Sequence, residues 1–249
     1  MRPILFVWRG MTVRSYHVAI YASMLVAVLL TVVFAQSDNL DPDRTAAAVL
    51  MLLVPGFVGA RLFYAARNWS YFRADPRRIA RRSEGGLSLY GGLFGILAGS
   101  VPVLGALGLP FARFMDALVL GLLGALIIAK GACLLNGCCF GRPTAHWCSA
   151  HLPDQRGEWR RRYPSQPLEM VWAAIVLLLM LALRSAAPPP GILTCAALAL
   201  HPVGRLFLQQ LRDESAAENA AVRKTCMILS ASALLAGLSV WLWAKSSII

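Results

Sequence analysis

The stretch FMDALVLGLLGALIIAKGACLL, residues 114–135, is long and apolar enough to cross a lipid bilayer as a single helix. A transmembrane helix needs about 20 predominantly apolar residues. Six other stretches have the same character, so we predict an all-α membrane protein with seven transmembrane helices in a single polytopic domain over residues 1–249. Their predicted bounds are residues 16–35, 46–66, 87–109, 114–135, 168–183, 192–208 and 226–243.

The composition supports a membrane protein and excludes a soluble one. Hydrophobic residues make up 58% of the 249 residues and charged residues 14%, and the mean hydropathy is +0.61. A soluble globular domain is about half apolar and about one quarter charged. The formal net charge of +12 on such an apolar chain indicates anionic lipid headgroups as partners and no nucleic acid.

The third predicted helix is rich in residues that weaken a helix. It contains Gly91, Gly92, Gly95, Gly99 and Pro102. Interrupted backbone at membrane depth is tolerated where it is buried in protein or lines a cavity. We therefore predict that this helix is broken or re-entrant near residues 90–92.

Most lysines and arginines lie in loops that would share one side of the membrane. These are the N-terminal tail and the loops around residues 67–82, 142–162 and 212–224. The positive-inside rule places that side in the cytoplasm.

Lys130 lies in the fourth predicted helix, where an ionisable residue indicates a functional site. Cys133 is three residues later and shares a helix face with it, so the ammonium would favour a thiolate there. The alternative is a lysine that extends to the membrane surface. Asp116 lies about 21 Å away along the helix, too far to be the partner of Lys130.

Arg205 and Gln209 are four residues apart near the end of the sixth predicted helix, and Arg61 has a similar place in the second. The arginine side chain presents a fixed fork of donors that matches phosphate oxygens. Acidic residues in the helices are few, Asp116 and Glu169, so we expect these arginines to bind an anionic ligand. The alternative is a set of buried ion pairs.

Four of the six cysteines are close in sequence, namely Cys133, Cys138, Cys139 and Cys148. Zinc sites usually show paired C-x2-C or H-x3-H spacing, which this group and the nearby His146 lack. We therefore expect no metal and no cofactor. A thiol–disulfide site and a packing role remain alternatives.

Several motifs together resemble the prolipoprotein diacylglyceryl transferase family over most of the chain. They are Arg14-Ser15-Tyr16, Gly59-Ala60-Arg61-Leu62-Phe63 with Asn68-Trp69, Glu84-Gly85-Gly86-Leu87-Ser88-Leu89-Tyr90-Gly91-Gly92-Leu93, Asn136-Gly137 with Phe140-Gly141-Arg142, Tyr163-Pro164-Ser165-Gln166 with Glu169, and Gly204-Arg205-Leu206-Phe207 with Arg212. The resemblance implies transfer of a diacylglyceryl group from phosphatidylglycerol to the lipobox cysteine of a prolipoprotein, with formation of a thioether and loss of glycerol phosphate. It also implies a location in the bacterial inner membrane, with residues 130–142 on the periplasmic side. The positive-inside rule instead places the loop around residues 142–162 in the cytoplasm, so the orientation stays open.

This sequence departs from the family pattern where the chemistry would take place. The family's functional His is replaced by Tyr90, and the Arg that opens its signature by Lys130. The Asn and Glu of that signature are replaced by Cys133 and Cys138. Further on, Tyr163 stands in place of a His and Gln209 in place of a Glu. The resemblance thus implies that the polar frame is kept while much of the acid–base set is exchanged.

From these observations we expect two groups of site residues. The expected catalytic residues are Tyr90, Lys130, Cys133, Cys138, Cys139 and Arg205. The expected phospholipid-binding residues are Arg14, Arg61, Gly91, Gly92, Asn136, Gly141, Arg142, Gln166 and Gln209. We further expect Arg61, Arg142 and Arg205 to border one cavity.

Three functions remain open at this point. The first is a membrane transferase that moves a lipid-derived group from an anionic phospholipid to a prolipoprotein or another thiol acceptor. The second is a membrane thiol–disulfide oxidoreductase that uses Cys133, Cys138, Cys139 and Cys148. The third is a non-catalytic lipid-binding relative of the transferases.

Overall fold

A computed structural model describes residues 4–8, 11–81, 86–154, 156–214 and 216–246. Within them, seven helices are long and apolar enough to cross a membrane, which confirms the predicted all-α membrane fold. The long helices are α1 (Ser15–Ser37), α2 (Pro42–Arg67), α4 (Leu89–Leu107), α5 (Phe111–Asn136), α6 (Ser165–Ser185), α7 (Ile192–Leu208) and α8 (Ala216–Ser246).

Short elements complete the fold. A four-residue helix, α3 (Trp69–Phe72), and a 3-10 turn, Pro76–Ala80, follow α2, and a second 3-10 turn, Gln209–Leu211, follows α7. Two antiparallel hairpins lie outside the long helices, formed by β1 (Ile4–Trp8) with β2 (Met11–Arg14) and by β3 (Ala150–Pro153) with β4 (Trp159–Arg162). Helix α8 begins ten residues, almost three helical turns, before its predicted start, because the sequence ahead of its apolar part is rich in helix-forming alanine.

The chain forms two compact units. One consists of Met1–Phe34 and Met115–Ile249, and the other of Ala35–Phe114. In the first unit, α5, α6 and α7 share a buried cluster of Leu120, Leu123, Val176, Met180 and Ala197. This cluster fixes the three helices that carry the polar residues described below.

Asp116 joins two of these helices. Its carboxylate, on α5, accepts hydrogen bonds from the backbone N–H groups of Gly191 (2.6 Å) and Thr194 (2.8 Å) at the start of α7. The hydroxyl of Thr194 donates to it as well. A carboxylate at a helix N-terminus satisfies free N–H groups and stabilises the helix dipole. Asp116 therefore has a partner other than Lys130, as expected.

The second unit is built on the close approach of α2 and α4. A Cβ atom placed on Gly91 would lie 2.5 Å from the carbonyl oxygen of Gly59, and one on Gly95 would lie 2.1 Å from that of Pro55. No side chain fits at such distances, so the glycines allow backbone-to-backbone packing. The predicted break near residues 90–92 is not confirmed, because Leu89–Leu107 is one helix. The structure corrects the interpretation: these glycines permit packing.

We expect Gly91→Val to destabilise the protein by about 1–3 kcal/mol, because the new side chain would overpack the α2–α4 contact. The matched control is Gly105→Val on the same helix, where an added Cβ meets no atom within 4 Å. Thermal unfolding of both variants in the same detergent measures the difference. Equal losses of stability would contradict the packing role.

Candidate functional site

The end of α5 turns the chain back on itself. The N–H of Cys138 donates to the carbonyl of Cys133 (3.1 Å), and the N–H of Gly137 donates to that of Leu134 (3.3 Å). Gly137 has a φ of 70°. This is a Schellman motif, in which glycine adopts the left-handed conformation that other residues avoid. The motif brings Cys138 back over Cys133.

The three thiols at this turn lie together. The Sγ atoms of Cys133, Cys138 and Cys139 are all within 4.8 Å of one another, and all six cysteines are free. Hydrogen bonds from the thiols of Cys133 and Cys138, with the nearby charges of Arg212 and Lys130, hold the pKa of Cys139 below its usual range. Cys148 lies apart from this group, with its Sγ 3.0 Å from Nδ1 of His146.

The segment after the cysteines pairs with the segment after α7. The N–H of Arg142 donates to the carbonyl of Leu211 (2.9 Å), and the N–H of Asp213 donates to that of Phe140 (3.1 Å). Gly141 forms a β-bridge with Arg212 and lies so close to Tyr163 that an added Cβ would be 2.1 Å from its carbonyl oxygen. This pairing brings Arg212 to the thiol cluster.

The start of α6 holds the cysteine loop from the other side. The side-chain amide of Gln166 donates to the carbonyl of Cys138 (2.9 Å), and the hydroxyl of Ser165 donates to that of Cys139 (2.9 Å). Both side chains are buried. The carbonyls of the loop are thus fixed by α6, and Glu169 follows one turn later on the same helix.

Glu169 is the common partner of three cations. Its carboxylate, 5% exposed, forms ion pairs with Lys130 of α5 and Arg205 of α7 and lies 3.7 Å from Nη1 of Arg212. Arg212 also pairs with Glu214 at 2.6 Å. In the described part of the chain, these ion pairs connect three cations with two carboxylates, so the group retains one positive charge.

Several polar atoms of this group have no hydrogen-bond partner among the described residues. They are Nε of Arg205, Nε of Arg212 and Oε1 of Gln209. The side chain of Gln209 is fully buried, and its amide nitrogen donates to Asn219 (2.8 Å) and to Glu214. A buried polar atom without a partner is costly. Two unused guanidinium donors beside a net positive charge therefore favour an anionic ligand.

The structure brings together seven of the expected site residues in the first unit. They are Lys130, Cys133, Cys138, Cys139, Gln166, Arg205 and Gln209. Gly141 lies in the segment that positions Arg212. Asn136 and Arg142 are exposed at the same end of α5, and Arg14 is exposed just before α1.

The other expected residues lie in the second unit. Tyr90 is buried in α4, and Gly91 and Gly92 face α2. The guanidinium of Arg61 donates to loop carbonyls, among them those of Ile79 (2.7 Å) and Gly86 (3.1 Å). Arg61 thus organises the loop after α2, and the expected cavity that it would share with Arg142 and Arg205 stays a prediction. Glu84 and Gly85 of the glycine-rich motif lie outside the described residues.

For Arg205 the structure supports the alternative of a buried ion pair, because its guanidinium pairs with Glu169. Glu169, Arg212 and Glu214 were absent from the expected site residues. An ionisable residue inside a transmembrane helix indicates a functional site, so the sequence alone was enough to include Glu169 among the expected site residues. Its three partners could not be assigned without the fold.

Comparison with known proteins gives one consistent result. Residues 3–243 match the family model described as prolipoprotein diacylglyceryl transferase. The chain is also similar to the phosphatidylglycerol–prolipoprotein diacylglyceryl transferase of Trichormus variabilis, with 26% identity over 86% of this chain and 79% of that protein. The protein of the same name from Symbiobacterium thermophilum is 24% identical over 94% of this chain and 89% of its own length.

We expect Glu169→Gln to destabilise the protein by about 3–5 kcal/mol, because it leaves buried cations without their carboxylate. The matched control is Glu158→Gln, which removes an exposed carboxylate paired with Arg160 and should cost less than about 1 kcal/mol. Thermal unfolding in detergent compares the two. A Glu169 variant as stable as the Glu158 variant would show that the buried ion pairs are not needed for folding.

Proposed function

Because this chain belongs to the prolipoprotein diacylglyceryl transferase family, we propose that it transfers a diacylglyceryl group from phosphatidylglycerol to the lipobox cysteine of a prolipoprotein. The reaction takes place in the bacterial inner membrane. The acceptor sulfur attacks the glyceryl carbon next to the phosphate, a thioether forms, and glycerol phosphate leaves. This assigns the protein to lipoprotein biosynthesis.

The observation that carries this proposal is the group around Glu169. Lys130, Arg205 and Arg212 converge on one carboxylate and retain a positive charge. The unused Nε donors of Arg205 and Arg212 suit the oxygens of a phosphate. In this arrangement the headgroup phosphate binds to donors that are already in place.

The same cations serve the chemical step. Negative charge develops on the phosphate oxygen as the bond to the glyceryl carbon breaks. Donors fixed in advance around such a developing charge lower the barrier, and each is worth several kcal/mol in a site that excludes water. Glu169 holds Lys130 and Arg205 in place and keeps the group from binding the anionic product too tightly.

The thiol cluster provides the acceptor side of the site. A thiol is nucleophilic as its thiolate, so the acceptor proton must be removed. Cys133, Cys138 and Cys139 are close to Arg212 and Lys130, and these positive charges favour the thiolate form of sulfur at this place. The catalytic role expected for Tyr90, which lies in the second unit, stays a prediction.

The other expected residues have roles in binding the phospholipid in this proposal. Gln166 and Gln209 position the loop and the headgroup, and Asn136, Gly141 and Arg142 border the phosphate. In the second unit, Arg61 donates to loop carbonyls, and Gly91 and Gly92 pack against α2, so the lipid contacts expected for these three residues stay predictions. Arg14, which precedes α1 in the first unit, meets lipid headgroups at the membrane surface.

A second candidate function rests on the distances between the thiols. Because the Sγ atoms of Cys133, Cys138 and Cys139 lie within 4.8 Å of one another, a small movement would join two of them in a disulfide. A thiol–disulfide oxidoreductase would show a reducible loss of two hydrogens in the mass of the purified protein. A transferase would show an added lipid mass on the acceptor peptide.

We expect Arg205→Ala to lower the rate of diacylglyceryl transfer at least tenfold, because a buried phosphate donor is lost. Arg205→Lys, which keeps the charge but not the fork of donors, should recover only part of the rate. Purified protein, phosphatidylglycerol vesicles and a synthetic lipobox peptide, analysed by mass spectrometry, provide the measurement.

The control for this experiment is Arg160→Ala, which removes an exposed arginine paired with Glu158. It should leave the rate unchanged. Equal effects of the Arg160 and Arg205 variants would contradict a phosphate site at Arg205. Absence of any transfer by the folded wild-type protein would overturn the proposed function.

A further inference from the structure

The three thiols of residues 133–139 form a geometry that suits a metal ion. Their Sγ atoms all lie within 4.8 Å of one another. Zinc bound to sulfur at about 2.3 Å in a tetrahedral site needs sulfurs about 3.8 Å apart. The sulfurs therefore lie at most about 1 Å farther apart than a bound zinc ion would hold them.

The backbone around these thiols is held in place before any ligand binds. The Schellman motif fixes Cys138 over Cys133, and Gln166 and Ser165 hold the carbonyls of Cys138 and Cys139. Cys139 has a φ of 59°, which a residue with a Cβ rarely adopts. Such strained backbone is found mainly where it serves a function.

The number of ligands indicates the kind of metal site. Within the described residues, the group of potential ligands consists of these three cysteines. Structural zinc sites have four protein ligands, whereas catalytic sites have three and leave the fourth position to water or substrate. Thiolates select soft metal ions.

The charges around the thiols are also compatible with a bound divalent metal ion. Lys130, Arg205 and Arg212 with Glu169 and Glu214 retain one positive charge. A divalent ion on three thiolates carries one negative charge, against three without the ion, so the ion lowers the repulsion between the thiolates and the bound phosphate. Without the ion, three thiolates beside Glu169 would leave negative charges in excess.

We infer that Cys133, Cys138 and Cys139 bind one zinc ion as thiolates and that its open fourth position takes the sulfur of the acceptor cysteine. The first part stands independently, and the second rests on the proposed function. A thiol that coordinates a metal ion is deprotonated outright. The zinc site thus supplies the acceptor as a thiolate beside the bound phosphate.

The transfer step then balances without an oxidant or a reductant. The metal-bound sulfur forms a bond to the glyceryl carbon, and the bond from that carbon to the phosphate oxygen breaks with its electron pair on oxygen. The proton lost by the acceptor thiol is taken up by the departing glycerol phosphate. The neutral thioether is a weaker ligand than a thiolate and leaves the ion.

Zinc content tests the first part. Full-length protein, incubated with zinc chloride and then freed of loosely bound metal, should retain about one zinc ion per chain. Cys138→Ser and Cys139→Ser should each lose most of it, and the control Cys195→Ser should retain it. Each variant is compared on a size-exclusion column to show that it is folded. Retention of zinc by both Cys138→Ser and Cys139→Ser, or its loss in Cys148→Ser instead, would overturn the site.

Cobalt spectroscopy tests the fourth position. Cobalt(II) in place of zinc gives absorption bands that report the number of bound sulfurs. A lipobox peptide should add a sulfur-to-cobalt band, and the same peptide with serine in place of cysteine should not. Identical spectra with both peptides would overturn the role of the fourth position while leaving the metal site intact. A normal cobalt response without lipid transfer would instead contradict the proposed function.

Discussion

The site depends on one buried carboxylate. Glu169 is held by the core of α5, α6 and α7 and is shared by Lys130, Arg205 and Arg212. Each of these cations would be costly to bury alone. Because they come from α5, from α7 and from the segment after α7, Glu169 ties these parts of the first unit together. The functional geometry and the folding of this unit therefore depend on the same ion pairs.

The cysteine loop depends on a second constraint, which is local. Gly137 ends α5 in a left-handed conformation, and the Schellman hydrogen bonds direct the chain back over the last turn of the helix. The thiols of Cys133 and Cys138 meet because of this turn. The pairing of residues 140–142 with residues 211–213 then places Arg212 beside them. The thiols and the cations thus form one site.

Much of the fold could be predicted from the sequence, because a bilayer sets the length and polarity of each span. The role of the glycines in α4 could not be predicted, since glycine both weakens a helix and allows close helix packing. Only the structure, in which Gly59 lies against Gly95, distinguishes a broken helix from a closely packed one. Hydropathy also gave no sign of the hairpin formed by β3 and β4, which lies in a polar loop.

For the candidate site, the sequence indicates which residues are involved better than it indicates which of them are in contact. Lys130, Arg205 and the cysteines stand out as polar or reactive types near apolar segments. Glu169, the common partner of Lys130 and Arg205, is distant from both in sequence, and pairing over such distances depends on tertiary packing. The spacing of Cys133 and Cys138 differs from the familiar zinc patterns, so their meeting became visible only with the Schellman motif.

An experimental structure of the protein in a lipid nanodisc with phosphatidylglycerol tests the central claim most directly. The account predicts a headgroup phosphate within hydrogen-bond distance of Nε of Arg205 and Nε of Arg212, with Glu169 still paired to Lys130. A phosphate bound elsewhere, with both Nε atoms still without a partner, would contradict it.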